Sequence, residues 1–164
     1  MSGRDPSANG RRHVLIVGGG FAGVGCARRL AKHDDVHVTL VDRNNYHQFQ
    51  PLLYQVATCQ LASSDIAHSL RKLFRDDRGV DVKLDGVASV DTAARAVVTD
   101  DGRRLEADAL VLAAGSQPNF FRTPGAEEHA SRCTRSTTPR DCGRGSSPRS
   151  RTPRGIRRSS SAAR

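Results

Sequence analysis

Three glycines and one carboxylate carry the chemistry for which this sequence can be read. Gly18, Gly20 and Gly23 spell G-x-G-x-x-G directly after an apolar run at 14–17, and Asp42 follows 19 residues after Gly23. In such a turn the first glycine permits a tight bend. The second lets the backbone approach a pyrophosphate with no Cβ in the way, and the third lets the next helix lie close on the sheet. The helix then points free N–H groups at the phosphates. Asp42, at the end of a second apolar run, places a carboxylate where ribose hydroxyls can donate to it. The glycines alone are a weak signal. Strand, helix and acid in register around them point to dinucleotide binding.

Positioning those residues requires a strand, a helix and a second strand. The run at 14–17 is apolar throughout, as in a parallel strand buried on both faces. Val24, Ala27, Leu30 and Ala31 fall at helical spacing, Asp34-Asp35 ends that helix, and 36–41 is the second apolar run. Residues 43–55 have few charges, three aromatics, several amides and no period. That stretch is too apolar for a solvated linker and too irregular for a helix. It reads either as a loop packed over a ligand or as a structural loop at the sheet edge. Ser63 or Ser64 can then cap a helix whose stripe of Ile66, Leu70, Leu73 and Phe74 packs into the core. Residues 80–84 form another strand, and 87–90 either continue it or begin a meander. The runs 96–99 and 103–106 flank Asp100-Asp101-Gly102, a hairpin signal. Residues 109–113 are expected as a second fully buried strand, closed by Ala114-Gly115-Ser116. The order predicts an α/β fold, a three-layer nucleotide-binding domain whose parallel sheet carries an antiparallel β-meander.

With 164 residues, 4% aromatics and no Trp, the chain has room for one domain with a modest core. Its net charge of +9 would suggest a nucleic-acid partner, but the distribution argues otherwise. Residues 1–130 hold 16 basic and 16 acidic side chains, whereas residues 131–164 hold ten Arg and one Asp. The tail offers no aromatic to stack on bases and no apolar face to enter a bilayer. Nucleic-acid or anionic-surface binding through it is therefore the alternative of a different class. Residues 1–12 read as a disordered lead-in, 13–130 as the folded part, and 131–164 as a disordered Arg/Ser/Pro-rich tail. No apolar stretch after Arg11-Arg12 resembles a signal peptide, and no run is long enough to span a membrane. Cys26, Cys59, Cys133 and Cys142 are too scattered for a zinc site or a C-x-x-C pair, so reduced thiols in a cytoplasmic setting and no metal are expected.

The string Val-Gly-Gly-Gly-Phe-Ala-Gly at 17–23, Asp42-Arg43 and above all Tyr-His-Gln-Phe-Gln-Pro-Leu-Leu-Tyr-Gln-Val-Ala-Thr at 46–58 resemble type II NADH dehydrogenase. Asp65-Ile66-Ala67 and 110–115 continue the resemblance, with Ala114 where that family usually has Thr. It covers about residues 13–130. It implies a Rossmann-like FAD-binding domain that passes electrons from NADH through FAD to a membrane quinone at the cytoplasmic face. It also implies roles. Gly18, Gly20, Phe21, Ala22 and Gly23 would hold the FAD pyrophosphate, and Asp42 the adenosine ribose. Arg43 and Val87 would lie beside the adenine, and Ala113, Ala114 and Gly115 would approach the middle of the cofactor. Gln50, Pro51 and Leu52 would lie on the isoalloxazine side. No side chain is required as acid or base, so no catalytic residue is assigned. Cys59 stands alone, which disfavours dithiol chemistry, and sulfide:quinone oxidoreductase is the alternative within the superfamily.

A family member also carries a second glycine fingerprint for NADH, a closing Gly-Asp motif and amphipathic membrane-binding helices, and the sequence given shows none of the three. The expectation is an incomplete FAD domain with little turnover and weak FAD loading on its own. The composition changes abruptly at Ser131, and a one-base shift of frame would make positions 142, 146, 147 and 150 apolar, the stripe of an amphipathic helix. The tail is therefore expected to be a frameshift product.

Overall fold

The structure, a computed structural model, describes residues 10–116 and 119–129. Strand β1 (Arg12–Val17) begins two residues earlier than the apolar run suggests, because the Arg12 N–H donates to the Asp35 carbonyl at 2.8 Å. Helix α1 (Phe21–Leu30) follows the glycine turn and leads to β2 (Val36–Asp42), which pairs with β1 in parallel from Arg12↔Val36 to Val17↔Val41. Two further strands, β5 (Val80–Leu84) and β9 (Ala109–Leu112), complete a parallel sheet in the order β5-β2-β1-β9. Between them β6 (Val87–Asp91), β7 (Ala96–Thr99) and β8 (Arg104–Glu106) form a separate antiparallel sheet. Residues 87–90 thus open a meander rather than extend β5.

The alternation of β1 explains the three layers. Val14 and Ile16 face one side with Val38, Leu40 and Val80, where Val24 and Ala27 of α1 and the buried Leu70 and Phe74 cover them. Leu15 and Val17 face the other side with Val41, under Val97 of the meander and its neighbours Val87 and Leu105. Each such side chain contributes about 1.5–3 kcal/mol of burial before its entropy is counted. Helices, parallel sheet and meander therefore stack as expected of a Rossmann-like nucleotide-binding fold.

Three elements differ from expectation. The helix expected from Ser63 onward is broken into α3 (Ser63–Ile66), β4 (Ala67–His68) and α4 (Leu70–Leu73). The cause is β3 (His47–Gln48), which takes Ala67 and His68 as antiparallel partners, while the Phe49 N–H donates to the Ile66 carbonyl at 2.8 Å. Neither Ser63 nor Ser64 caps a helix. The Asp65 carboxylate accepts the Ala62 N–H at 2.9 Å, and Ser69 caps α4 by accepting the Lys72 N–H at 3.3 Å. The apolar stripe survives the break, with Ile66, Leu70 and Phe74 buried. The stretch 43–55, read as too irregular for a helix, holds a 3₁₀ turn at Gln50–Leu52, with Pro51 and its preset φ in the first positions, and the start of the short α2 (Leu53–Ala57). Finally, β9 is not fully buried. Among the described residues it is one of the two edge strands of the sheet, and Leu112 is 56% exposed.

The meander is joined to the sheet by a buried polar cluster at the other end of β1. His13 is 7% exposed, and its Nδ1–H donates to the Glu106 carbonyl at 3.0 Å. A carbonyl only accepts, so Nε2 carries the lone pair and accepts the Thr39 hydroxyl at 2.8 Å. Burial, then the nearby His37, lowers the His13 pKa below the ordinary histidine range. A short α5 (Ala126–His129) ends the described chain. The expected tail at 131–164, with Cys133 and Cys142, lies outside the described residues, as do residues 1–9 of the lead-in expected at 1–12, whose last residue, Arg12, instead opens β1.

Candidate functional site

The glycine turn sits at the carboxyl end of β1, where the sheet order reverses: the chain runs outward to β2 and β5, then returns on the opposite side as β9. Such a reversal leaves a crevice at the strand ends. Gly18 adopts φ +107°, a conformation that side chains rarely allow. Its N–H donates to the Val41 carbonyl at 2.8 Å, and a Cβ there would run into the Ala113 carbonyl. Gly23 is needed for another reason. A Cβ on it would collide with the Gly18 carbonyl oxygen and lie 3.4 Å from Ile16 Cγ2, so α1 could not rest on β1. Gly20 differs from both, since a Cβ there would meet nothing within 4 Å. Two glycines are thus committed to the protein's own backbone, and the middle one opens onto space at the start of α1. That helix has no side-chain cap and no acidic residue in its first turn, which leaves its first N–H groups and its dipole available to an anion.

Asp42 binds the turn to β2. Its Oδ2 accepts the Gly19 N–H at 2.7 Å, and its Oδ1 accepts the Asn44 N–H at 2.8 Å and the Asn44 side-chain amide at 3.4 Å. A carboxylate offers about four acceptor positions, so capacity remains for a hydroxyl. On one side of Asp42 lies a cleft of about 200 Å³ lined by Gly18, Arg43, Asp85, Gly86, Val87 and Ala114. On its other side lies a hollow of about 30 Å³ lined by Gly19, Gly20, Phe21, Asn44, Gln48 and Gln50. The segment 46–55 packs on this turn. The His47 Nδ1–H donates to the Gly19 carbonyl at 3.1 Å, and Phe21, 48% exposed, meets the rings of His47 and Phe49 edge-on at 5.1 and 5.5 Å.

The structure therefore brings together Gly18, Gly20, Phe21, Asp42, Arg43, Gln50, Val87 and Ala114 around one acid. Ala22 is exposed on the first turn of α1, Gly23 is buried behind the turn, and Ala113 and Gly115 flank Ala114; none of the four lines either space, nor do Pro51 and Leu52. Val17, Gly19, Val41, Asn44, Tyr46, Gln48, Asp85 and Gly86 also line these spaces and were not among the expected site residues. Asn44 and Gln48 lay in the stretch read as a possible loop over a ligand, and Gly19 carried a signal as the middle member of three consecutive glycines: a Cβ on it would lie 2.5 Å from Leu70 Cδ1 and 3.3 Å from Asp42 Oδ2. Among the described residues no group of His, Cys, Asp or Glu could hold a metal, and Cys26 and Cys59 are free thiols. No helix among them is long and apolar enough to cross a membrane. The arrangement can hold a polyhydroxylated diphosphate, with donors at the helix start and acceptors at Asp42.

The pyridine nucleotide-disulphide oxidoreductase family matches residues 12–150. The chain is 42% identical over 125 residues to the type II NADH:quinone oxidoreductase NdhA of Mycobacterium tuberculosis, covering 74% of this chain and 26% of that protein. It is 40% identical over 115 residues to Ndh of the same organism, covering 68% and 25%. The chain thus spans about a quarter of the length of these relatives. Among solved structures, the sulfide:quinone oxidoreductase of Aquifex aeolicus superposes with a TM-score of 0.67 at 29% identity, over 72% of this chain and 27% of that one. NDH2 of Plasmodium falciparum, in complex with NADH, superposes with a TM-score of 0.67 at 20% identity, over 80% and 27%, a likeness of fold.

Proposed function

The chain belongs to the pyridine nucleotide-disulphide oxidoreductase family, and from that membership we propose that it is the N-terminal FAD-binding part of an NADH:quinone oxidoreductase. The observation that carries the reading is the division of labour in the glycine turn. Gly18 and Gly23 are closed by backbone, while Gly20 is open beside Asp42. The similarity to NdhA and Ndh, both type II NADH:quinone oxidoreductases, supports the choice of reaction. The residues fit FAD. The start of α1 and Gly20 would hold the pyrophosphate, Asp42 a ribose hydroxyl, and Arg43 and Val87 the adenine side of the cleft. Gly23, Ala113 and Gly115 shape the turn from behind, and Ala22, Gln50, Pro51 and Leu52 border the path toward the ring system.

When bound, FAD supplies the hydride-accepting and electron-transferring chemistry. The chain's own residues bind and orient it, and none is required as acid or base. NADH, quinone and a cytoplasmic setting at a membrane surface belong to this reading as the partners and place of the whole protein. The 164 residues would turn over NADH little or not at all alone. The Aquifex neighbour supports sulfide as the alternative electron donor.

FAD titration of the purified chain, followed by flavin fluorescence, tests the proposal. The protein should be colourless or faintly yellow as isolated and should bind added FAD weakly, and Gly20→Val should abolish binding by placing a side chain against the pyrophosphate. No binding by the parent chain, or equal binding by Gly20→Val, would overturn it. Tight stoichiometric FAD would overturn the weak binding expected here.

A further inference from the structure

Resting on that reading, we propose that Gln48 is an additional binding residue of the site, its amide oxygen accepting a hydrogen bond from a sugar-type hydroxyl of the dinucleotide. Gln48 lies in β3, and its main chain is fixed on both sides. It pairs with Ala67, the following Phe49 N–H donates to the Ile66 carbonyl, and the preceding His47 ring is bonded to the Gly19 carbonyl. Its side chain therefore starts from a set position next to the glycine turn, and it lines the 30 Å³ hollow with Gly19, Gly20 and Asp42.

There the Gln48 Oε1 is buried and finds no hydrogen-bond donor among the described residues. A buried acceptor without a partner costs about 1–3 kcal/mol, and such an orphan in a folded protein needs a cause. Asp42, another acceptor, lines the hollow together with Asn44, Tyr46 and Gln50. A buried acceptor beside the site that has no donor of its own calls for a ligand group that brings a proton. A phosphate oxygen cannot donate, whereas a sugar hydroxyl can. Because Oε1 is enclosed, the contact requires the glutamine to turn toward Gly20. Its torsions are unbranched, and the half-exposed Phe21 beside it has room to yield.

The test combines melting of the unliganded full chain with titrations of FAD, ADP and inorganic pyrophosphate, for the parent and for Gln48→Met. Removing an orphaned acceptor should leave the unliganded melting temperature unchanged or higher, and should weaken FAD about tenfold, the loss of one hydrogen bond. Pyrophosphate, which has no hydroxyl, should bind both proteins equally. An equal loss with ADP assigns the hydroxyl to the adenosine ribose, and a loss with FAD alone assigns it to the ribityl chain. Unchanged FAD affinity in Gln48→Met, with the parent binding FAD, overturns this inference and leaves the reading of the site intact. A melting temperature lowered by several degrees makes Gln48 a structural support and also overturns it, as does a matching loss with pyrophosphate. If the parent binds no FAD, the reading of the site fails and the inference falls with it.

Discussion

Residues on either side of Asp42 are built in opposite ways. From Arg12 to Asp42 the strand, turn, helix and strand follow from local pattern, and backbone pairing between neighbours in sequence order does most of the holding. From Arg43 to Phe74 no element is longer than five residues, and the path is set by polar contacts to distant positions. The Asn45 side-chain oxygen accepts the Ser69 hydroxyl at 3.3 Å and the Arg71 N–H at 3.2 Å, and His47 reaches back to Gly19. The first region makes the floor of the site, and the second makes one of its walls. A periodic segment can be placed by its own hydrophobic spacing, whereas an aperiodic one is placed by its partners.

The largest effect that would sharpen this contrast is at the turn itself. Gly18→Ala and Gly23→Ala should each cost about 3–4 kcal/mol in urea unfolding, from backbone overlap and, at position 18, from a strained φ. Gly20→Ala, with open space around it, should change stability by less than about 0.5 kcal/mol. Equal costs at the three positions would break the division of labour. Next, Leu70→Ala should cost about 3 kcal/mol, because Leu70 is buried in the core and lies under Gly19, whereas Leu112→Ala on the open face of β9 should cost less than about 0.5 kcal/mol. A smaller loss, about 1 kcal/mol, is expected for Asn45→Ala, which leaves the start of α4 with one acceptor fewer. If Asn45→Ala has no effect while Leu70→Ala does, burial rather than polar anchoring places residues 43–74, and the contrast between the two regions fails.

The strands of the parallel sheet, α1, the hairpin about Gly102 and the placement of Asp42 beside the glycine turn could be read from period and turn chemistry, whereas 87–90 could be read two ways and β3 and β4 not at all. The break at Ala67–His68 could not. The stripe of Ile66, Leu70 and Phe74 keeps helical spacing across it, and only the distant His47–Gln48 pairing interrupts the helix. The exposure of β9 was hidden for a similar reason. An apolar run marks a strand but not whether a neighbour stands on each side. Within the site, the glycines and Asp42 were visible because their types are demanded by conformation and charge. Gln48 and Asn44 are ordinary amides whose role comes from where the fold puts them.

The smallest effect concerns the joint between sheet and meander, which belongs to neither region. His13 is held neutral there, donating from Nδ1 to Glu106 and accepting at Nε2 from Thr39, with its own N–H bonded to the Asp108 carboxylate at 2.7 Å. His37, whose ring centre is 5.7 Å away, and Lys83 oppose a charge on it, while Asp108 favours one; burial outweighs the rest, and the folded-state pKa lies below the ordinary value. Above the ordinary histidine pKa of about 6.5 the group is neutral in both states and its contribution to stability is complete. As pH falls below that value the unfolded chain takes up a proton before the folded chain does, so the contribution is lost toward the folded-state pKa. The melting temperature should therefore be flat from pH 8 to about 7 and begin to decline as pH falls below about 6.5, before ordinary carboxylates titrate. His13→Asn, whose amide can still donate to the Glu106 carbonyl, should melt lower at pH 8 but with a shallower decline. Parallel curves for the parent and the variant would show that the acid sensitivity of this joint does not reside in His13.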